Sequence, residues 1–390
     1  MQALTYLTAD SMFDSINGVF VKNPWILIKG DRIEKVAFGT AAIPAGIPVI
    51  DMSGCTLLPG LIDAHNHLSL SPQLNNHPYL MFDPDPVLVM RAITNLTTDL
   101  MSGVTSSRCL GEKNFIDFYI KAAINQGSIA GPRLVVAGRG IKASHAHGFV
   151  GTPYDGVEAV RMAVRENLRR GADLTKLFVT GNTKSTGFLP YYISPAEISI
   201  AVQETHQAGK KVAVHCIGGD GLTHCLEQGV DVIEHAYFAT DEQIEQLVAL
   251  NRWVVLTPRI FFNDARWSTV SQQSVAEFQY NREEVVERHQ KLIRSGVKFA
   301  VGTDASHGEF AEDIILLTKL GNTIESALQA ATISAARVSE IDADTGSISA
   351  GKYADFVAVS GDLANDIEQL RSICFVMKGG QVCRHTAKGV

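Results

Sequence analysis

Through the middle of the chain, short apolar runs alternate with stretches whose apolar residues recur at helical spacing. The runs Leu57–Asp63, Val104–Arg108, Arg133–Ala137, Leu174–Val179, Lys211–His215, Val230–His235, Trp253–Thr257 and Val297–Thr303 read as strands. Helical patterns lie between them, at Pro86–Met101, Gly156–Arg170, Ser194–Ala208, Asp241–Leu250 and Glu283–Arg294. Ser194-Pro195-Ala196-Glu197 predicts a helix start: Ser as N-cap, Pro in the first turn and Glu closing a capping box. Gly171 and Gly296 fall just past helix ends, where a left-handed C-cap is expected. Eight strands alternating with helices over roughly 290 residues predict an α/β fold, a (β/α)8 TIM barrel. An open doubly wound sheet is the competitor, but no GxGxxG follows an early strand.

The two ends have a different texture. Val19–Val21, Trp25–Lys29 and Arg32–Phe38 are β-rich, with Gly30-Asp31 as a hairpin turn. Near the other end, Ala354–Val359 and Ile373–Lys378 repeat that texture, the second followed by the turn Gly379-Gly380. The two ends are expected to pair as one small composite β-sandwich domain, residues 1–56 with 345–390, leaving 57–344 as the catalytic barrel.

Composition narrows the function classes. Of 390 residues, 46% are hydrophobic and 19% charged, which suits an ordinary globular interior. The net charge of −7 argues against a surface built to grip nucleic acid or an anionic membrane. No apolar run reaches the roughly 20 residues of a membrane span, and the start does not read as a signal peptide. The six cysteines are scattered without a CxxC pair, which fits a reducing cytoplasm. A small-molecule substrate is the expected partner, with neither nucleic acid nor membrane, and a homo-oligomer is allowed.

The chemistry gathers at strand ends. In a parallel barrel the active site lies where the strands end, because every following loop emerges there. His65 and His67 close the first strand as HxH, and residues two apart share one side of a strand. Lys176 lies in the fourth strand, His215 ends the fifth, His235 ends the sixth and Asp304 follows the eighth. A lone strand-end histidine is more often a satisfied polar residue than a ligand, but this many at one predicted mouth argue for a metal centre. Imidazole and carboxylate suit Zn, Mn, Fe or Ni. Lys176 in such a mouth must be neutral or chemically altered.

On these residues the chain resembles the amidohydrolase superfamily of metal-dependent hydrolases. Its features include Gly103-Val104-Thr105, Gly131-Pro132-Arg133, Gly171-Ala172-Asp173, Ile233-Glu234-His235, Gly302-Thr303-Asp304 and the returning segment Gly346-Ser347-Ile348…Gly351-Lys352-Tyr353-Ala354-Asp355. It looks most like the binuclear branch of imidazolonepropionase-like and Xaa-Pro or Xaa-Arg dipeptidase-like enzymes. The resemblance implies two divalent ions, zinc first, bridged by a Lys176 carboxylated by CO2. His65, His67 and Asp304 would hold the more buried ion, and His215 and His235 the more exposed one. It further implies a bridging hydroxide as nucleophile, Asp304 as proton shuttle and His147 on the substrate carbonyl. The predicted reaction is hydrolysis of an amide-type C–N bond in an N-acyl amino acid, dipeptide, carbamate or cyclic amide.

The sequence departs from the family at the pocket mouth. His145 and Ala146 replace two loop glycines, Cys109 stands where many relatives carry Asp, and Thr180-Gly181-Asn182 replaces a Ser-Gly-Gly-like turn. Tyr237 and Arg259 are candidate substrate contacts, Arg259 as a carboxylate clamp. His77, His206, His224, His289 and His385 are read as structural or exposed. Two other functions compete. A mononuclear heterocyclic-amine deaminase would normally carry Glu three residues after the fifth-strand His, where this chain has Gly218. A non-enzymatic scaffold would have lost ligands, and none of the six is lost.

Overall fold

A computed structural model describes residues 3–40, 43–72, 74, 77–184 and 187–386. The two ends of the chain share one sheet. The strands β1 (Leu4–Asp14), β2 (Val19–Lys22), β3 (Pro24–Lys29), β4 (Arg32–Phe38) and β5 (Val49–Pro59) come from the N-terminal part. The next strands in the chain are β6 (Leu61–Asn66), β7 (Val104–Cys109), β8 (Arg133–Val136), β9 (Gly140–Lys142), β10 (Gly151–Pro153) and β11 (Leu174–Phe178). They are followed by β12 (Lys211–Gly218), β13 (Val232–Phe238), β14 (Trp253–Leu256) and β15 (Lys298–Val301), then β16 (Phe356–Ser360), β17 (Ile373–Lys378) and β18 (Gln381–His385).

The sheet of the two ends runs β18-β17-β16-β5-β1-β3-β4, with β2 on β1. Its joint is the antiparallel pair β5–β16, with Leu57 opposite Ala358. Gly30-Asp31 and Gly379-Gly380 make the two expected hairpin turns. The β3–β4 hairpin at one end of this sheet is bonded to the segment that precedes β16: Ile33 N–H donates to Lys352 O at 2.9 Å and Ala354 N–H to Asp31 O at 2.8 Å. One apolar cluster lies along it, from Ile33 through Leu7 and Leu57 to Phe356 and Phe375.

The remaining strands are parallel, as alternation with helices requires. β6-β7-β8 form one run and β10-β9-β11-β12-β13-β14-β15 another. Two seams join these runs. At one, Asp173 N–H donates to Val136 O at 2.8 Å; at the other, Asp304 N–H donates to His65 O at 2.8 Å. The second seam is tight, for a Cβ on Gly302 would lie 2.4 Å from the His65 amide nitrogen. Buried Val, Ile and Leu of these strands pack against the surrounding helices, among them Asp85–Met101, Pro195–Gln207 and Phe310–Lys319.

Two elements differ from the sequence reading. The apolar run Leu57–Asp63 is divided between β5 and β6 at Gly60, where a side chain would collide with Thr105. The helix expected at Glu283–Arg294 begins earlier and spans Gln272–Arg294, capped by Ser271. Among the described residues, no helix is long and apolar enough to cross a membrane.

Candidate active site

Strand ends bring the predicted residues together. His65 lies near the end of β6, Lys176 in β11, His215 in β12 and His235 in β13, while His67 and Asp304 follow β6 and β15. They surround the floor of a cavity of about 720 Å³, lined in part by His67, His147, His215 and Asp304. The backbone is unusual where two of them sit. His235 and Ala236 have φ of +78° and +52°, and Asp304 and Ala305 have +51° and +70°. Left-handed geometry costs L residues roughly 1–2 kcal/mol each. In β13 it coincides with a register shift against β12, a bulge that re-aims the side chain.

The ligand-capable atoms converge. Those of His65, His235 and Asp304 all lie within 4.8 Å of one another. His65 Nε2 and His67 Nε2 are 3.4 Å and 3.6 Å from Asp304 Oδ1. The His215 and His235 rings are 4.6 Å apart. Each imidazole has one nitrogen occupied by the protein. Glu234 Oε2 faces His65 Nδ1 at 2.8 Å, Gly111 O faces His67 Nδ1 at 3.0 Å, Gly181 O faces His215 Nε2 at 3.0 Å and Thr257 Oγ1 faces His235 Nδ1 at 2.7 Å. That pattern sets the tautomer and turns the other nitrogen to the centre.

Electrostatics agree with a site for cations. Burial drives His67 down to about 3 and His215 and His235 well below the usual imidazole range, so all three are neutral near pH 7. Burial pushes the Asp304 carboxyl up, but the neighbouring imidazoles, His65 first, outweigh it and hold the group well below its ordinary value. Lys176 is the anomaly. It is fully buried, its Nζ has no hydrogen-bond partner among the described residues, and burial lowers its pKa to about 8. An orphaned amine beside a carboxylate and four imidazoles leaves an ammonium there without the hydrogen bonds a buried cation needs. The donor set therefore fits divalent metal.

The comparisons with known proteins decide the family: the amidohydrolase family model matches residues 56–383. The chain belongs to the amidohydrolase family. Ochratoxinase of Aspergillus niger is 26% identical over 363 residues, covering 84% of this chain and 75% of that protein. Imidazolonepropionase of Alkaliphilus metalliredigens is 23% identical over 401 residues, covering 93% and 90%. Among solved structures, a Xaa-Pro dipeptidase with methionine bound in its active site is 26% identical, with a TM-score of 0.86 over 97% of this chain and 99% of that one. This amidohydrolase is thus an enzyme, a hydrolase whose relatives act on amide bonds.

Three expectations about its pocket change. His147 does line the cavity, 4.8 Å ring to ring from His215, while His145 is exposed and meets Tyr192 edge-on. Tyr237 does not line it: it lies beneath His235, stacked at 5.2 Å, with its hydroxyl donating to Thr257 O at 3.0 Å. Arg259 does not line it either, because its guanidinium turns into a neighbouring smaller cavity and pairs with Glu309 at 2.8 Å. His77, read as structural, does line the main cavity.

Two further residues of this amidohydrolase escaped assignment. Glu234 and Arg108 are both fully buried, and Glu234 bridges His65 to Arg108, whose Nη1 lies 3.0 Å from Glu234 Oε1. Burial would raise the Glu234 carboxyl, yet Arg108 and His65 bring it to about 2. Arg108 also donates to Ala64 O at 3.0 Å. The visible signal was a charged residue inside each of two otherwise uncharged strands, VTSSRC and VIEHAYF, where charge is rare unless paired.

Proposed function

We propose that this amidohydrolase cleaves an amide-type C–N bond with two divalent ions, zinc first. His65, His67, His215, His235 and Asp304 would hold them, with Lys176 as a bridging carbamate. The observation that carries the reading is the buried Lys176 Nζ without a hydrogen-bond partner among the described residues. Burial shifts it toward the neutral amine, whose lone pair can bond to CO2 with loss of one proton, turning a cation into an anion with two oxygen donors. When bound, the ions supply Lewis acidity to a carbonyl and lower the pKa of water.

The chain's own groups do the rest. Asp304, kept ionised by its imidazoles, accepts a proton on Oδ1 and returns it to the leaving amine. His147 is pulled to about 4 by burial, so near pH 7 it is a neutral donor aimed at the cavity, suited to the substrate oxygen as charge develops there. Glu234 and Arg108 fix His65. Tyr79, Phe149, Val270 and Phe278 give the cavity apolar walls, which suit an apolar group beside the scissile bond. A (β/α)8 barrel over 57–344 and a β sandwich of 1–56 with 345–390 belong to the same reading. It is supported by the eight parallel strands β6–β8 and β11–β15 with both seams bonded, and by the bonds from the β3–β4 hairpin to the segment before β16.

The test is a hydrolysis screen of metal-reconstituted protein against N-acyl amino acids, dipeptides, carbamates and cyclic amides, beside aminated heterocycles. Cleavage of an amide-type bond is expected. Ammonia release from heterocycles alone would favour the deaminase instead. On the substrate found, His147→Ala should lower kcat roughly 10²–10³-fold with metal retained, and His145→Ala should leave it near wild type. The reverse pattern would overturn the role of His147.

A further inference from the structure

We infer that Asp99 and His307 form a charged clamp that holds the turn bearing Asp304 in its left-handed geometry. This makes both of them positioning residues for the proton-transfer group. The inference rests on the role of Asp304 given under Proposed function.

His307 is buried within three residues of Asp304, and its ring is fully engaged. Its Nδ1 lies 2.9 Å from Asp99 Oδ2 and its Nε2 2.9 Å from Leu70 O. A carbonyl can only accept, so Nε2 carries a proton. The Asp99 carboxylate also accepts from Gly308 N–H at 2.9 Å and from Asn66 Nδ2 at 3.2 Å. With these two donors already on the carboxylate and its Oδ2 facing the ring, Nδ1 donates too and the ring is an imidazolium. A buried cation and a buried anion thus sit face to face beside the cavity, with Asp63 as the further acidic group near His307.

The position of this pair explains what it does. Asp304 and Ala305 both hold φ values that L side chains rarely adopt. Such a turn persists only where its surroundings over-determine it. At its start, Asp304 N–H is bonded to His65 O. At its end, His307 N–H is bonded to Ala305 O at 3.0 Å, and Gly308 N–H with the His307 ring is bound to Asp99. Asp99 stands near the end of the helix Asp85–Met101, a rigid support. The same carboxylate reaches Asn66, whose Oδ1 accepts from His67 N–H at 2.8 Å. One anion therefore ties the turn of Asp304 to the segment of His65 and His67, and the His307 ring ties both to Leu70 in the cavity wall. Release of the clamp lets the turn relax toward negative φ and carries the Asp304 carboxylate away from the histidines.

Hydrogen exchange on the full chain as purified tests the clamp without reference to turnover. In His307→Gln, exchange across residues 304–308 should rise at least tenfold, with the helix Pro195–Gln207 unchanged. Asp99→Asn, which keeps shape and loses charge, should do the same should His307→Gln fold poorly. In cobalt-substituted protein both variants should alter the visible absorption spectrum. On the amide found by the screen, kcat should fall at least tenfold with KM within threefold. Ala305→Gly supplies the readout that a merely structural role would not move. Glycine takes φ near +70° freely, so in that background His307→Gln should cost at least threefold less in kcat. Wild-type exchange over 304–308 in both variants overturns the inference, as does a kcat loss of the same size in both backgrounds. If Asp304→Asn keeps wild-type turnover, the role of Asp304 fails, while the exchange experiment still decides the clamp.

Discussion

Each of the four histidines at the centre gives one ring nitrogen to the protein and turns the other to the site, and a fifth, His289, is buried away from it. His289 is buried, with Nδ1 donating to Val285 O at 2.8 Å and its ring stacked on Tyr237 at 5.6 Å. Its Nε2 has no partner among the described residues. Burial takes its pKa to about 4 from the ordinary 6.5. The folded value is the lower one, so the unfolded chain takes the proton first as pH falls. The stability His289 confers is complete above about pH 6.5 and is lost on the way down to about 4. His289→Leu should therefore reduce the pH dependence of unfolding free energy by up to one proton, or about 1.4 kcal/mol per pH unit, between pH 6 and 5. Urea unfolding at those two values checks it, and an unchanged slope would mean that His289 titrates normally in the fold.

At the scale of elements, local chemistry was legible and long-range chemistry was not. The capping box at Ser194 is present as read: its side chain accepts from Glu197 N–H, and Glu197 Oε2 accepts from Ser194 N–H at 2.8 Å. Ser194→Ala should cost about 1 kcal/mol, measured by denaturant unfolding; a change under about 0.3 kcal/mol would show that the box is idle. Such a box is written in four adjacent residues. By contrast, the first half of the helix Gln272–Arg294 has few apolar residues and depends on Phe278 meeting Phe261 at 5.1 Å, which no local pattern announces. The gathering of histidines at one mouth was legible because strand-end residues obey the period of two. Glu234 and His307 were not, because their worth lies in Arg108 and Asp99, 126 and 208 residues away along the chain. Arg259 was hard to place for the same reason: its ion-pair partner, Glu309, lies 50 residues away along the chain.

On the scale of the molecule, the sheet of the two ends is fastened to the parallel strands through Asp355. This buried carboxylate pairs with Arg133 at the start of β8 at 2.7 Å and accepts from Gly379 N–H at 2.7 Å. Tyr353 lies between Arg32 and Arg133, whose guanidinium carbons stand 3.6 Å and 3.9 Å from its ring centroid. Asp355→Ala leaves Arg133 without its ion-pair partner and should destabilise by about 3–5 kcal/mol. A shift below about 1 kcal/mol in urea unfolding would show that the two parts hold together without it. The fold thus sets six side chains from five strands around one floor, and whether that floor is a two-ion centre bridged by Lys176 is the central claim. Metal content per chain, measured by plasma mass spectrometry after reconstitution with zinc in bicarbonate buffer, tests it most directly. The account predicts about two ions in the wild type and loss of most metal in Lys176→Ala, with partial recovery on adding a short carboxylic acid. A Lys176→Ala protein that keeps its full complement of metal and its turnover would contradict it.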